Sequence, residues 1–204
     1  MEIGLYQLKY PFRKLLDFLL PYCKNIDPNT ISIFLLPLGL LTALIYNMAP
    51  THPKLYLVGI ICIFLRMIVG TLDGLVAETF HKQTSNGTIL NRLTPEAADL
   101  MLMLAIIMGE PQHLRLGLWA LLLCWATSFL GLLGLAGGKR IQRVGPVGQT
   151  DRIVALMVFS LLQYWGPLNI PFMTLFLWWV VLGGIVTVAL RTQRILTEPV
   201  HEHR

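Results

Sequence analysis

The chain has 204 residues, of which 55% are apolar and only 13% charged, and its formal net charge is +5. That balance excludes an ordinary soluble domain and points to a protein of the bilayer. Membrane topology and anionic head groups account for the basic excess, so nucleic-acid binding is not needed to explain it.

Residues 5–20 place Leu5, Leu8, Phe12, Leu15, Leu16 and Leu19 on one helical face and Lys9, Arg13, Lys14 and Asp17 on the other. This pattern predicts an amphipathic helix in the cytoplasmic interface. Its charges interrupt the apolar run that a cleaved leader requires. Asp27-Pro28-Asn29-Thr30-Ile31-Ser32 then opens the first long apolar stretch. Pro28 suits a first helical turn, and Asn29, Thr30 or Ser32 is placed to cap it.

A bilayer crossing needs roughly 20 mostly apolar residues. Six stretches qualify, at about 31–50, 55–77, 88–109, 116–137, 148–166 and 170–190, the third carrying Arg92, Glu96 and Asp99. The expected fold is therefore all-α and integral to the membrane, with six transmembrane helices after the N-terminal amphipathic helix. Its expected divisions are a juxtamembrane helix and cap over 1–30, a membrane domain over 31–190 and a cytoplasmic tail over 191–204. Of the 16 lysines and arginines, thirteen fall on the side that holds both termini, Lys54 and Arg115 fall on the other, and Arg66 lies inside a span. That asymmetry places both termini in the cytoplasm.

Gly131, Gly134, Gly137 and Gly138 in the fourth span and Gly183 and Gly184 in the sixth read as points of close helix approach. Cys23, Cys62 and Cys124 lack metal-ligand spacing and read as small packing residues. The five tryptophans, 119, 125, 165, 178 and 179, suit interface or lipid-facing positions, and the Met-rich run 101–108 suits a core.

The informative segment is 66–99, RMIVGTLDGLVAETFHKQTSNGTILNRLTPEAAD. It contains Asp73-Gly74-x-x-Ala77, then Gly87, then Asn91, Pro95 and Asp99. The spacing resembles the signature of the CDP-alcohol phosphatidyltransferase family, D-x2-D-G-x2-A-R-x8-G-x3-D-x3-D. Gly145-Pro146-Val147-Gly148-Gln149-Thr150-Asp151-Arg152 resembles a second box, G-P-x-G-K-x-D-R, of some members. The resemblance implies the fold of that family and, by analogy, a homodimer. It also implies displacement of CMP from a CDP-linked donor by an alcohol. Mg²⁺ or Mn²⁺ would neutralise the diphosphate, held by aspartates, with the last aspartate as general base. Gly74, Ala77, Gly87, Asp151 and Arg152 then correspond to donor-binding positions.

The departures fall on the chemistry. The family's first Asp falls on Gly70, its Arg on Glu78, its third Asp on Asn91, its fourth on Pro95, and the Lys of the second box on Gln149. Asp73 alone keeps its carboxylate. Asp73 and Asn91 remain as metal ligands, one charged and one neutral, which would hold Mg²⁺ weakly. Pro95 cannot move a proton, so Asp99 is the remaining candidate base. Arg66, however, lies seven residues before Asp73 and Asp99 eight after Asn91, about 10 and 12 Å along their helices. With Asp73 and Asn91 level on facing helices, Arg66 and Asp99 reach similar depth, which predicts a buried ion pair that would occupy Asp99.

Two functional readings follow. One is a non-catalytic relative that binds a lipid or nucleotide, or serves in a larger membrane complex. The other is a working transferase that moves a phosphatidyl or phospho-alcohol group in phospholipid synthesis. Transport has no support from paired broken helices or a ring of charges.

Overall fold

The computed structural model describes residues 9–136, 139, 144–167 and 170–198. Every regular element among them is helical: α1 (Lys9–Leu15), α2 (Leu20–Cys23), α3 (Pro28–Met48), α4 (Leu55–Thr79), α5 (Ser85–Gly109), α6 (Leu114–Ala136), α7 (Gln149–Trp165) and α8 (Phe172–Thr197), with short 3-10 turns at Asp17–Leu19 and Pro111–His113. The six long helices coincide with the six apolar stretches of the sequence. Four spans, Pro28–Met48, Leu55–Thr79, Pro111–Gly134 and Phe172–Thr197, are long and apolar enough to cross a membrane by length and composition. The charges of α5 and the 17 residues of α7 keep these two outside that group.

The helix expected over 5–20 is broken, and its residues before 9 lie outside the described ones. After α1 the chain tightens into the 3-10 turn, where Leu16 donates its N–H to Arg13 O at 3.0 Å and Leu19 to Leu16 O at 2.9 Å. Pro21 explains the break: its ring clashes with the carbonyl four residues earlier and it has no N–H to donate. Asp27 caps α3 by accepting the Asn29 N–H at 3.1 Å, so none of Asn29, Thr30 and Ser32 is the cap. Pro28 takes the first helical position, where its missing N–H costs nothing. Thr84 caps α5 by accepting the Gly87 N–H at 2.9 Å.

The chain forms two compact units, one within Leu8–Glu110 and one within Pro111–Arg204. In the first, α3 packs along both α4 and α5, while those two approach each other at few points. Small residues set the spacing. A Cβ on Gly39 would lie 2.6 Å from the Ala98 Cβ, and one on Gly59 would lie 2.5 Å from the Tyr46 ring. In the second unit α8 packs against α6 and α7, and a Cβ on Gly184 would lie 2.9 Å from Leu123 Cβ. The tail expected from residue 191 begins as helix, because α8 runs on to Thr197 and Arg191 is buried.

The Gly39–Ala98 contact is backbone against a Cβ and its Cα, so neither side can yield by changing rotamer. Gly39→Val is expected to destabilise the fold by about 1–3 kcal/mol through overpacking. Ala98→Gly in the same chain should restore part of the loss. Thermal unfolding in detergent measures both effects.

Candidate functional site

The polar centre of the first unit is Asp73, on α4 and 1% exposed. A carboxylate buried this deeply needs donors. Ser32 of α3 donates its hydroxyl to Asp73 Oδ2 at 2.5 Å, Asn91 of α5 donates Nδ2–H to Oδ1 at 3.2 Å, and the Gly74 N–H donates to Oδ1 at 2.6 Å. Three helices therefore meet at one carboxylate. Gly74 makes the approach feasible, since a Cβ there would lie 3.3 Å from Asn91 Nδ2. Gly87 plays a similar part nearer the start of α5, where a Cβ would lie 2.8 Å from Asn29 Oδ1 and 2.9 Å from Thr84 Oγ1. Ala77 accepts the Lys82 N–H through its carbonyl at 2.9 Å.

Deeper along the same helices, Arg66 Nη2 donates to Asp99 Oδ1 at 2.6 Å, with both side chains buried. Arg66 Nε and Nη1 are buried and have no hydrogen-bond partner among the described residues. The structure thus brings Arg66 and Asp99 together and, one level up, Asp73 and Asn91.

The substituted positions take other tasks. Glu78, where the family pattern has arginine, pairs with Arg13 of α1. Pro95 sits inside α5, so the Asn91 carbonyl has no helical N–H to accept. Gly70 faces the Leu35 side chain, with a Cβ there 3.5 Å from Leu35 Cδ1.

A second polar cluster lies within the other unit. Arg152 donates through Nη1 to Thr127 Oγ1 at 3.1 Å and through Nη2 to Ser128 Oγ at 3.3 Å. Arg191 donates through Nε to Val144 O at 3.0 Å and through Nη1 to Thr127 O. Two buried guanidiniums therefore share one residue of α6. Asp151 Oδ2 accepts the Gly148 N–H at 3.0 Å and closes the first turn of α7. The Gly145-Pro146 turn is fixed on α8: Gly145 has φ of +112°, a Cβ there would lie 2.6 Å from Thr187, and the Val147 N–H donates to Thr187 Oγ1 at 3.1 Å. Gln149 is the first residue of α7.

Sequence reasoning singled out Asp73, Asn91, Arg66 and Asp99, but it treated Ser32 only as a cap and placed Arg191 in a tail. The signal for Ser32 was a hydroxyl one turn inside an apolar helix. The signal for Arg191 was its place one turn after Thr187 on an otherwise apolar helix.

Mg²⁺ or Mn²⁺ would need several oxygen ligands carrying negative charge. Asp73 is the one carboxylate at this centre, and it already accepts three hydrogen bonds. Asn91 turns its amide nitrogen, not its oxygen, toward it. Among the described residues no group of three or more His, Cys, Asp and Glu side chains comes together to hold a metal. The donor set does not fit a pair of bridging divalent ions.

No protein-family profile matches the chain. It is 28% identical over 200 residues to the inner membrane protein YnbA of Escherichia coli (strain K12), a match covering 94% of this chain and 99% of that protein. Among solved structures, Mycobacterium tuberculosis phosphatidylinositol phosphate synthase (PgsA1) with CDP-DAG bound superposes with a TM-score of 0.74 at 15% identity, over 97% of this chain and 98% of that one. The same enzyme in complex with manganese and citrate gives a TM-score of 0.74 at 14% identity, over 96% and 93%. The fold is thus that of a CDP-alcohol phosphatidyltransferase, an all-helical membrane architecture.

The Arg66–Asp99 pair makes a prediction of its own. Arg66→Met or Asp99→Leu alone leaves a buried charge without its partner and should cost about 3–5 kcal/mol. The double variant should recover most of that loss. Equilibrium unfolding of the four proteins in detergent closes the cycle.

Proposed function

We propose that this protein keeps the CDP-alcohol phosphatidyltransferase fold without the metal-dependent transfer, and binds a phospholipid or a CDP-linked lipid as a non-catalytic membrane protein or complex subunit. The observation that carries this reading is the state of Asp73. In a two-metal site, carboxylates neutralise cations that bridge the diphosphate. Here the surviving carboxylate accepts hydrogen bonds from a serine, an asparagine and a backbone amide. Asp99 is engaged by Arg66 and acts as a structural counter-ion, not a base.

Six helices cross the bilayer in this reading, and both termini lie in the cytoplasm. The lysine and arginine distribution supports the orientation. The bound CDP-DAG of the mycobacterial synthase supports a CDP-linked lipid as the ligand class. Asp151 and Arg152, at donor-binding positions of the resembled second box, belong to the same reading. Assembly as a homodimer or within a larger complex belongs to the same reading, by likeness to the family.

The test is CMP release from CDP-diacylglycerol by the purified protein in nanodiscs, with Mg²⁺ or Mn²⁺ and with glycerol phosphate, serine or inositol as acceptor. No release above the protein-free control is expected, with saturable binding of CDP-diacylglycerol retained and Asp73→Ala without effect on the background. Metal-dependent release that Asp73→Ala abolishes would establish the alternative, a working transferase of phospholipid synthesis.

A further inference from the structure

The segment from α1 to Ile26 has more apolar surface than its contacts within the chain use. Its inner side packs on the protein: Leu16 is buried, and Leu19, Leu20 and Cys23 lie against the Ile31–Leu72–Val76 cluster of α3 and α4. A second apolar row faces outward. Leu15, Phe18, Tyr22 and Ile26 are 62%, 65%, 81% and 41% exposed and recur at three- and four-residue steps. A segment in contact with water on its free side would not carry four large apolar side chains in one row.

Two adjacent residues show how deep the segment lies. Phe12 meets Phe64 edge-on, with ring centroids 6.0 Å apart, while Arg13 pairs with Glu78. Phe64 and Glu78 are fourteen residues apart on α4, about 21 Å along its axis. Neighbouring side chains therefore reach in opposite directions, the aromatic ring toward the middle of α4 and the guanidinium toward its end. This is the arrangement of a helix sunk below the polar surface, with its cation snorkelling outward. The midpoint of the two contacts lies about 12 Å along α4 from Thr79. Lys82 secures the far end of the segment by donating Nζ–H to Lys24 O at 2.6 Å and to Ile26 O at 3.1 Å.

The charge pattern selects the lipid. Lys14 and Lys24 flank the outward row, are exposed, and have no ion pair among the described residues. Asp17 is the one acidic residue from 9 to 26.

We infer that residues 12–26 form a docking surface for acidic phospholipids of the surrounding bilayer, whose acyl chains cover Leu15, Phe18, Tyr22 and Ile26 and whose head groups meet Lys14 and Lys24. The Arg13–Glu78 pair and Lys82 fix this surface to α4, so the lipid docks on a pre-formed site. The inference rests on the membrane reading above and is independent of whether CMP is released.

The experiment is hydrogen–deuterium exchange of the full chain in nanodiscs of phosphatidylcholine alone or with phosphatidylglycerol. Backbone amides of residues 12–26 should exchange more slowly when phosphatidylglycerol is present, by about fivefold for each lysine that meets a head group. Lys14→Gln with Lys24→Gln should abolish the difference between the two lipids, and protection of α3 and α5 should stay unchanged as the check on folding. Phe18→Asp should raise exchange of the segment in both lipids. Equal exchange of the wild-type segment in the two nanodiscs would overturn the inference, as would a lipid effect that survives loss of both lysines. CMP release measured on the same samples keeps the two proposals separable.

Discussion

A charge inside a bundle of apolar helices must find its partner within that bundle, and the first unit is organised around two such charges. Arg66 and Asp73 lie two turns apart on α4. Each is answered from α5, by Asp99 and Asn91, which are also about two turns apart. An unpaired charge at this depth costs several kcal/mol. The two contacts therefore act as rungs that fix the register of α4 against α5. They matter because these two helices touch each other at few points and share α3 as their common support. The close approach of Gly39 to Ala98 and the Ser32 hydroxyl on Asp73 tie that support to both.

The same centre shows how a change of residue type redirects a fold. With Gly70, Asn91 and Pro95 where the resembled pattern has carboxylates, the local excess of negative charge is gone, and hydrogen-bond donors can do what cations would otherwise do. Glu78, in place of an arginine, turns α4 into a partner for a cation on α1. In the other unit the arginines reach serine and threonine hydroxyls and backbone carbonyls, and so tie α6, α7 and α8 together.

The long helices were legible in the sequence because apolar length and charge position are local properties. Caps and proline define their starts, as at Pro28, although the capping side chain proved to be Asp27. Depth was legible too: similar spacings, seven and eight residues, on two facing helices put Arg66 beside Asp99. Contacts that reach outside these two helices were not. Nothing near Ser32 announces Asp73, forty-one residues on. Arg191 looked like a tail residue because its acceptors, Thr127 and Val144, belong to other segments. The break near residue 16 was missed because an apolar stripe outweighed Pro21, whose effect falls on the turn before it. The division into two compact units rests on which helices pack together, which hydropathy along the chain does not record.

The Arg66–Asp99 pair also has a dimension in time. The partners are thirty-three residues apart in the chain, and Arg66 is made first. At about 5–20 residues per second, Arg66 exists for roughly 2–7 s before Asp99 is synthesised. Throughout that interval Arg66 lacks the counter-charge that Asp99 supplies in the folded protein. Lateral release of α4 alone into lipid is then opposed by the cost of a bare guanidinium, and this opposition disappears once α5 arrives beside it. The ion pair thus couples the burial of Arg66 to the arrival of α5, whose Asp99 supplies its counter-charge.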